Sequence, residues 1–190
     1  MTRKLNLAGD ENDKKKKITQ LLEQIAVLVR DIYDLADTNI SMISAVEKIG
    51  GTIVWRTPSM ETVSSSIWKT KQNSFVIEIS PDLSEHQTNV SIAERLGDLF
   101  INMGFDTDDE LWRCQRTEQS FRYKDSIQEF SASIFALALL MPKDEYLTTL
   151  QKYTEADGKT VRTQKIANEF DVTVSAAFQR GVMLGLISIL

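Results

Sequence analysis

Apolar residues recur at Ile18, Leu21, Leu22, Ile25, Leu28, Ile32 and Leu35. That spacing is helical, and 18, 21, 25, 28, 32 and 35 also fit a heptad seam. A second helix is predicted over residues 41–49, stopped by Gly50 and Gly51. The period then shortens. Residues 52–56, 63–70 and 74–79 are β-rich, and Lys71, Gln72 and Asn73 predict a hairpin between the last two. Phe75, Ile77 and Ile79 alternate with Val76, Glu78 and Ser80, which gives that strand one strongly apolar face. The helical period returns over residues 89–103, and Gly104 is placed to cap its end. An acidic loop is expected over residues 106–110. It lacks the central glycine and distant glutamate of a calcium loop, so a solvated loop is the expectation. An apolar helix over residues 126–141 stops at Pro142, and a short helix follows over 143–152. Residues 160–170 and 174–186 form a helix pair joined by Asp171, Val172 and Thr173. These elements predict an α+β fold: N-terminal helices, a small three-stranded mainly antiparallel sheet, and a helical C-terminal half. Residues 1–13 are expected as a flexible tail and 14–190 as one domain, with 158–190 a helix-turn-helix-like tail packed on it.

Composition narrows the chemistry. The chain has 190 residues, of which 42% are hydrophobic and 26% charged, the balance of a globular domain. It holds one His and one Cys. A site needing two imidazoles, a thiolate zinc cage and an internal disulfide are all excluded. His86 is expected to face solvent from a loop ahead of the 89–103 helix. The net charge of −5 disfavours phosphate and anionic membranes as partners. The run Lys14 to Lys17 is the most basic spot; it is expected to be solvated. Residues 159–190 carry a net charge of only +2 (Lys159, Arg162, Lys165 and Arg180 against Glu169 and Asp171), which is weak for DNA binding. The N-terminal residues have no apolar core of a secretion signal, and no apolar run reaches the length of a membrane span, so a cytoplasmic protein is expected.

Three stretches resemble one family in the right order. They are residues 75–105, a strand followed by a helix containing Ile92-Ala93-Glu94-Arg95-Leu96-Gly97-Asp98, residues 129–146 with the Leu-Leu-Met-Pro stop, and residues 166–187. Together they are similar to the ImmA/IrrE metallopeptidase-like family, which implies a zincin-like fold. The family pattern reads Ile-Ala-His-Glu-Leu-Gly-His, two zinc ligands one turn apart with a general base between them. Here the ligand positions carry Glu94 and Asp98, and the base position carries Arg95. The family's third ligand falls on Ser131 when counted back from Pro142. Arg95 cannot accept a proton near neutral pH, and its charge repels a divalent cation. The expected site is therefore a former active site at Glu94, Arg95, Asp98 and Ser131, with no cofactor and no metal. If a metal were held, its ligands would be Glu94, Asp98 and Glu129, a hard oxygen set suited to Mg²⁺ or Ca²⁺.

The resemblance implies a catalytically inactive protein acting by protein binding, as a regulator of a repressor or other partner on a bacterial phage or mobile element. The candidate partner-binding residues are Phe75, Ile77 and Ile79 on the sheet and Ile18, Leu21, Ile25, Leu28 and Ile32 on the N-terminal helix, whose seam is also a candidate for homo-oligomer contact. The alternatives are a metal-dependent hydrolase with a carboxylate-only site and a DNA-binding transcriptional regulator.

Overall fold

A computed structural model describes residues 7–35, 41–56, 65–123, 125–158 and 160–188. Eight α-helices and one three-stranded sheet are seen among them. The first helix, α1 (Leu7–Ile32), opens inside the stretch expected as a tail. Helix α2 (Met42–Ile49) is capped by Ser41, whose side chain accepts from Ser44 N, and ends on Gly50 in the left-handed region at φ 95°. The sheet follows: β1 (Thr52–Trp55), β2 (Ser65–Lys69) and β3 (Phe75–Ile79).

The strand order is β1-β3-β2. The β2–β3 hairpin is antiparallel, with Ile67 opposite Ile77, while β1 runs parallel to β3, with Ile53 opposite Ile77. The sheet is thus mixed, with one pair of each kind, rather than mainly antiparallel. The hairpin has a local turn signal; β1 pairs across a long connection that leaves no such mark. Phe75, Ile77 and Ile79 lie on the central strand and are fully buried with Ile67, Ile92, Leu96 and Phe135. They are core residues and cannot be offered to a partner.

Helix α3 (Glu85–Gly97) starts in a capping box between Ser84 and Gln87 and runs straight into a π-helical segment (Asp98–Asn102). Gly104, at φ 82°, ends this element as expected. Asp109 and Glu110 are not loop residues. They form the first turn of α4 (Asp109–Cys114), where the Asp108 carboxylate accepts from Glu110 N and Leu111 N. Helix α5 (Ser126–Leu140) is capped by Asp125 and ends before Pro142, which precedes α6 (Lys143–Lys152). The C-terminal pair is α7 (Thr163–Glu169) and α8 (Val174–Met183).

Helices α3 and α5 pack so closely that a Cβ on Gly97 would lie 2.5 Å from the Ala132 carbonyl oxygen. Glycine is required there by contact rather than by dihedral angle. Helix α1 lies on α5, not on the sheet. Its core-facing residues are Leu22, Ala26 and Val29, with Ile25 half-buried. Ile18, Leu21, Leu28 and Ile32 remain exposed, Ile32 by 72%. A second core joins Leu137 of α5 and Met141, just beyond its end, to Tyr146, Ile166 and Ala177, so α7 and α8 pack against the end of α5. Arg180, 1% exposed, donates to the Met141 carbonyl at 2.9 Å and reaches Glu23 of α1 at 2.6 Å.

Candidate functional site: a cleft closed by an internal ion pair

Helix α3 presents Glu94 and Arg95 to a cavity of about 600 Å³, also lined by Ser65, Tyr123, Gln179 and one stripe of α5. That stripe is Ser126, Glu129, Phe130 and Ser133, a single helical face. Ser131 is buried off this face and does not line the cavity. The α5 carboxylate in the cleft is therefore Glu129, two positions from the one that counting back from Pro142 selects.

Beneath the cavity, Asp98 is 0% exposed. Arg95 Nη1 lies 3.1 Å from Asp98 Oδ2, an i,i+3 ion pair on one helix face. Asn102 Nδ2 donates to Asp98 Oδ1 at 3.0 Å and to the Gln128 carbonyl at 3.0 Å. The π-helical turn carries both ends of the first bond, and such turns concentrate at functional positions. Tyr123 completes the cluster. Arg95 Nη2 donates to its hydroxyl at 3.0 Å, and the hydroxyl contacts Asp98 Oδ2 at 3.4 Å. The Arg95 guanidinium also stacks 5.7 Å from the Tyr123 ring centre. Among the described side chains, only Arg95 Nε is buried without a hydrogen-bond partner.

The electrostatics follow from this packing. Burial pushes the Asp98 carboxyl up; Arg95, Asn102 and Tyr123 pull it back only in part. Burial likewise pushes Glu94 up, Arg95 pulls it down, and Asp98 and Glu129 push it up again. The Tyr123 hydroxyl is pushed up to about 12, mainly by burial. The Arg95 guanidinium is thus the nearby cation that offsets these carboxylates.

The outer edge of β2 is also taken. Glu118 N donates to the Lys69 carbonyl and Phe121 N to the Ile67 carbonyl, each at 2.8 Å. The chain's own segment 117–123 runs along this edge and delivers Tyr123 to the cleft, so a peptide cannot add to β2 at Ile67 or Lys69 without displacing it.

Residues 52–180 match the IrrE N-terminal-like domain, Peptidase_M78. The chain belongs to this family. No curated protein matches the chain. The family is metallopeptidase-like, but the residues present do not fit a catalytic zinc. The donor set is carboxylate with a guanidinium in its midst, and every Asp98 oxygen already accepts from a protein group. Among the described residues no three His, Cys, Asp or Glu side chains gather as a metal site, the set Glu94, Asp98 and Glu129 included. His86 is not in a loop: it sits in the first turn of α3, two turns from Glu94, with Nε2 3.8 Å from Asp171. No helix among the described residues is long and apolar enough to cross a membrane.

Of the basic residues of the helix pair, Lys165 stays exposed on α7. Arg180 is buried against Glu23, and Arg162 pairs with Glu155. The outward residues of α8 are Val174, Ser175, Phe178 and Gln179, none of them cationic.

Tyr123, Asn102 and the Arg180–Glu23 pair escape a reading of the sequence. Tyr123 lies in an irregular segment with no motif, and Asn102 gains its place only through the π-helical turn. Glu23 and Arg180 stand at opposite ends of the chain.

Proposed function

We propose that this chain is a catalytically inactive member of its family, a cytoplasmic regulator that acts by holding a protein partner. The observation that carries the reading is the Arg95–Asp98 ion pair at 3.1 Å, which puts a permanent cation at the general-base position and consumes a ligand position. Peptidases of this fold engage extended protein segments, so a copy without the chemistry keeps a cleft suited to binding one. A repressor or similar regulatory protein of a phage or mobile element is the partner class that the family resemblance supplies. The outward stripe of Ile18, Leu21, Leu28 and Ile32 on α1 is a second contact surface, for another copy of the chain; concentration-dependent sedimentation tests it.

The test of the main reading is capture of partners from the native cell, followed by incubation of each with purified protein and Zn²⁺, Mn²⁺, Mg²⁺ or Ca²⁺. The expected result is a bound regulatory protein that stays intact. Metal-dependent cleavage that disappears in Glu94→Ala would overturn it and restore the hydrolase alternative.

A further inference from the structure

The cleft has an unbalanced charge and an apolar lip. Three carboxylates, Glu94, Asp98 and Glu129, interact electrostatically around one guanidinium, Arg95. Asp98 is committed to Arg95 beneath the cavity. Glu94 and Glu129 line the cavity together with Arg95, and among the described residues neither forms an ion pair. Beside Glu129 stands Phe130, 49% exposed and part of the same lining. Across the opening Gln179 contributes from α8, next to the exposed Phe178. Phe130 thus stands exposed beside a cavity that two carboxylates line.

We propose that this cleft receives a basic side chain, lysine or arginine, of a partner's peptide segment, with an adjacent apolar residue of that segment packing on Phe130. The inference rests on the protein-binding reading above and names the chemistry of the partner at that site. Its basis is charge complementarity. A cation entering the cavity meets the carboxylates Glu94 and Glu129 on its wall, while the long apolar stem of lysine or arginine suits the exposed ring of Phe130. The cavity volume of about 600 Å³ is ample for one such side chain and its flanks. An acidic segment is repelled by the same pair, so the site discriminates by sign as well as by fit. The segment need not pair with β2 as a strand. Its anchor is a side chain, which removes the conflict with residues 117–123 on that edge.

The test uses three blocked pentapeptides that differ only at the centre, which is arginine, norleucine or glutamate, flanked by leucine and phenylalanine. Binding to the full chain is read by calorimetry at low and moderate salt. The arginine peptide is expected to bind at least about tenfold more tightly than the norleucine peptide, the margin of a close interfacial charge pair. The glutamate peptide should bind least. The margin should shrink in Glu94→Gln/Glu129→Gln and in salt, while Phe130→Ala weakens the arginine and norleucine peptides alike. The double variant is checked for an unchanged melting midpoint, and Glu129→Gln alone, at an exposed position, serves if it is not. Equal binding of all three peptides, or a margin that survives Glu129→Gln and salt, overturns the proposal and leaves the protein-binding reading standing. No binding of any peptide overturns the proposal too, and the partner-capture experiment then decides the broader reading by itself.

Discussion

Removing Arg95 from its pair should cost far more than removing the pair as a whole. At 3.1 Å, the separation of Nη1 and Oδ2, two unit charges attract by about 5 kcal/mol at an effective dielectric of about 20. Against this stands desolvation of several kcal/mol per ion, and Asp98 is fully buried. The raised Asp98 carboxyl shows which side prevails: burial outweighs the help of Arg95, Asn102 and Tyr123. Arg95→Met leaves that carboxylate in the core without a cation and should cost about 3–5 kcal/mol. Asp98→Asn should cost less, because Arg95 keeps a sliver of solvent exposure and its contact with Tyr123. The double variant should be well short of the summed single costs, with a coupling of roughly 2 kcal/mol or more. Urea unfolding at pH 7 measures all four proteins. The sign with pH is fixed as well. A carboxyl whose folded pKa lies above its unfolded one favours the fold below that pKa and loses this as pH rises through it. Without Arg95, Asp98 moves up further, so the cost of Arg95→Met should shrink between pH 7 and pH 5. Strict additivity of the two substitutions, or a cost of Arg95→Met that is the same at both pH values, refutes the account.

Gly97→Ala should destabilise by about 1–3 kcal/mol, since the new methyl meets backbone atoms of Ala132 that cannot rotate away; thermal unfolding reads it. Arg180→Met and Glu23→Gln should each lower stability, the latter by leaving a 1% exposed guanidinium with the Met141 carbonyl as its remaining strong acceptor. A loss of about 3 kcal/mol is expected for Glu23→Gln, and an unchanged urea midpoint would contradict it. Chelation should leave the melting midpoint of the purified chain unchanged, because an ion pair rather than a metal balances Asp98; a drop of several degrees on adding EDTA would reverse that assignment.

Where local physics decides, residues announce their structure. Ser41, Gly50, Gly104 and Pro142 mark helix ends, and the alternation through Phe75 and Ile79 marks a buried strand. Helix α4 hides in an acidic run because six residues are too short to show a period, and Asp109 and Glu110 favour a helix N-terminus as readily as a loop. Helix α1 carries two apolar rows. The heptad row is the more regular, but Leu22, Ala26 and Val29 face the core, a choice made by the shape of α5 and not by α1 itself. At the site, Glu94, Arg95 and Asp98 are legible because they replace known positions in a helical pattern. Glu129 is not separable from Ser131 by counting, since the phase of α5 relative to the cavity decides which one faces it. Parallel pairing of β1 with β3 and the capture of Tyr123 depend on contacts distant in the chain.

The Arg180–Glu23 contact has a consequence for how this domain can be divided or recombined. The stretch matching the family begins at residue 52 and ends on Arg180 itself, whereas the acid that neutralises Arg180 lies on α1, well upstream. A fragment trimmed to the matching stretch would keep a cation in its interior, lose its counter-ion and bare the α5 surface on which α1 rests. The matching stretch therefore leaves out the charge partner that its own Arg180 uses in this structure. An exchange of N-terminal segments between relatives would succeed only if the incoming helix brought an acid to position 23, or the last turns of α8 gave up their arginine at the same time.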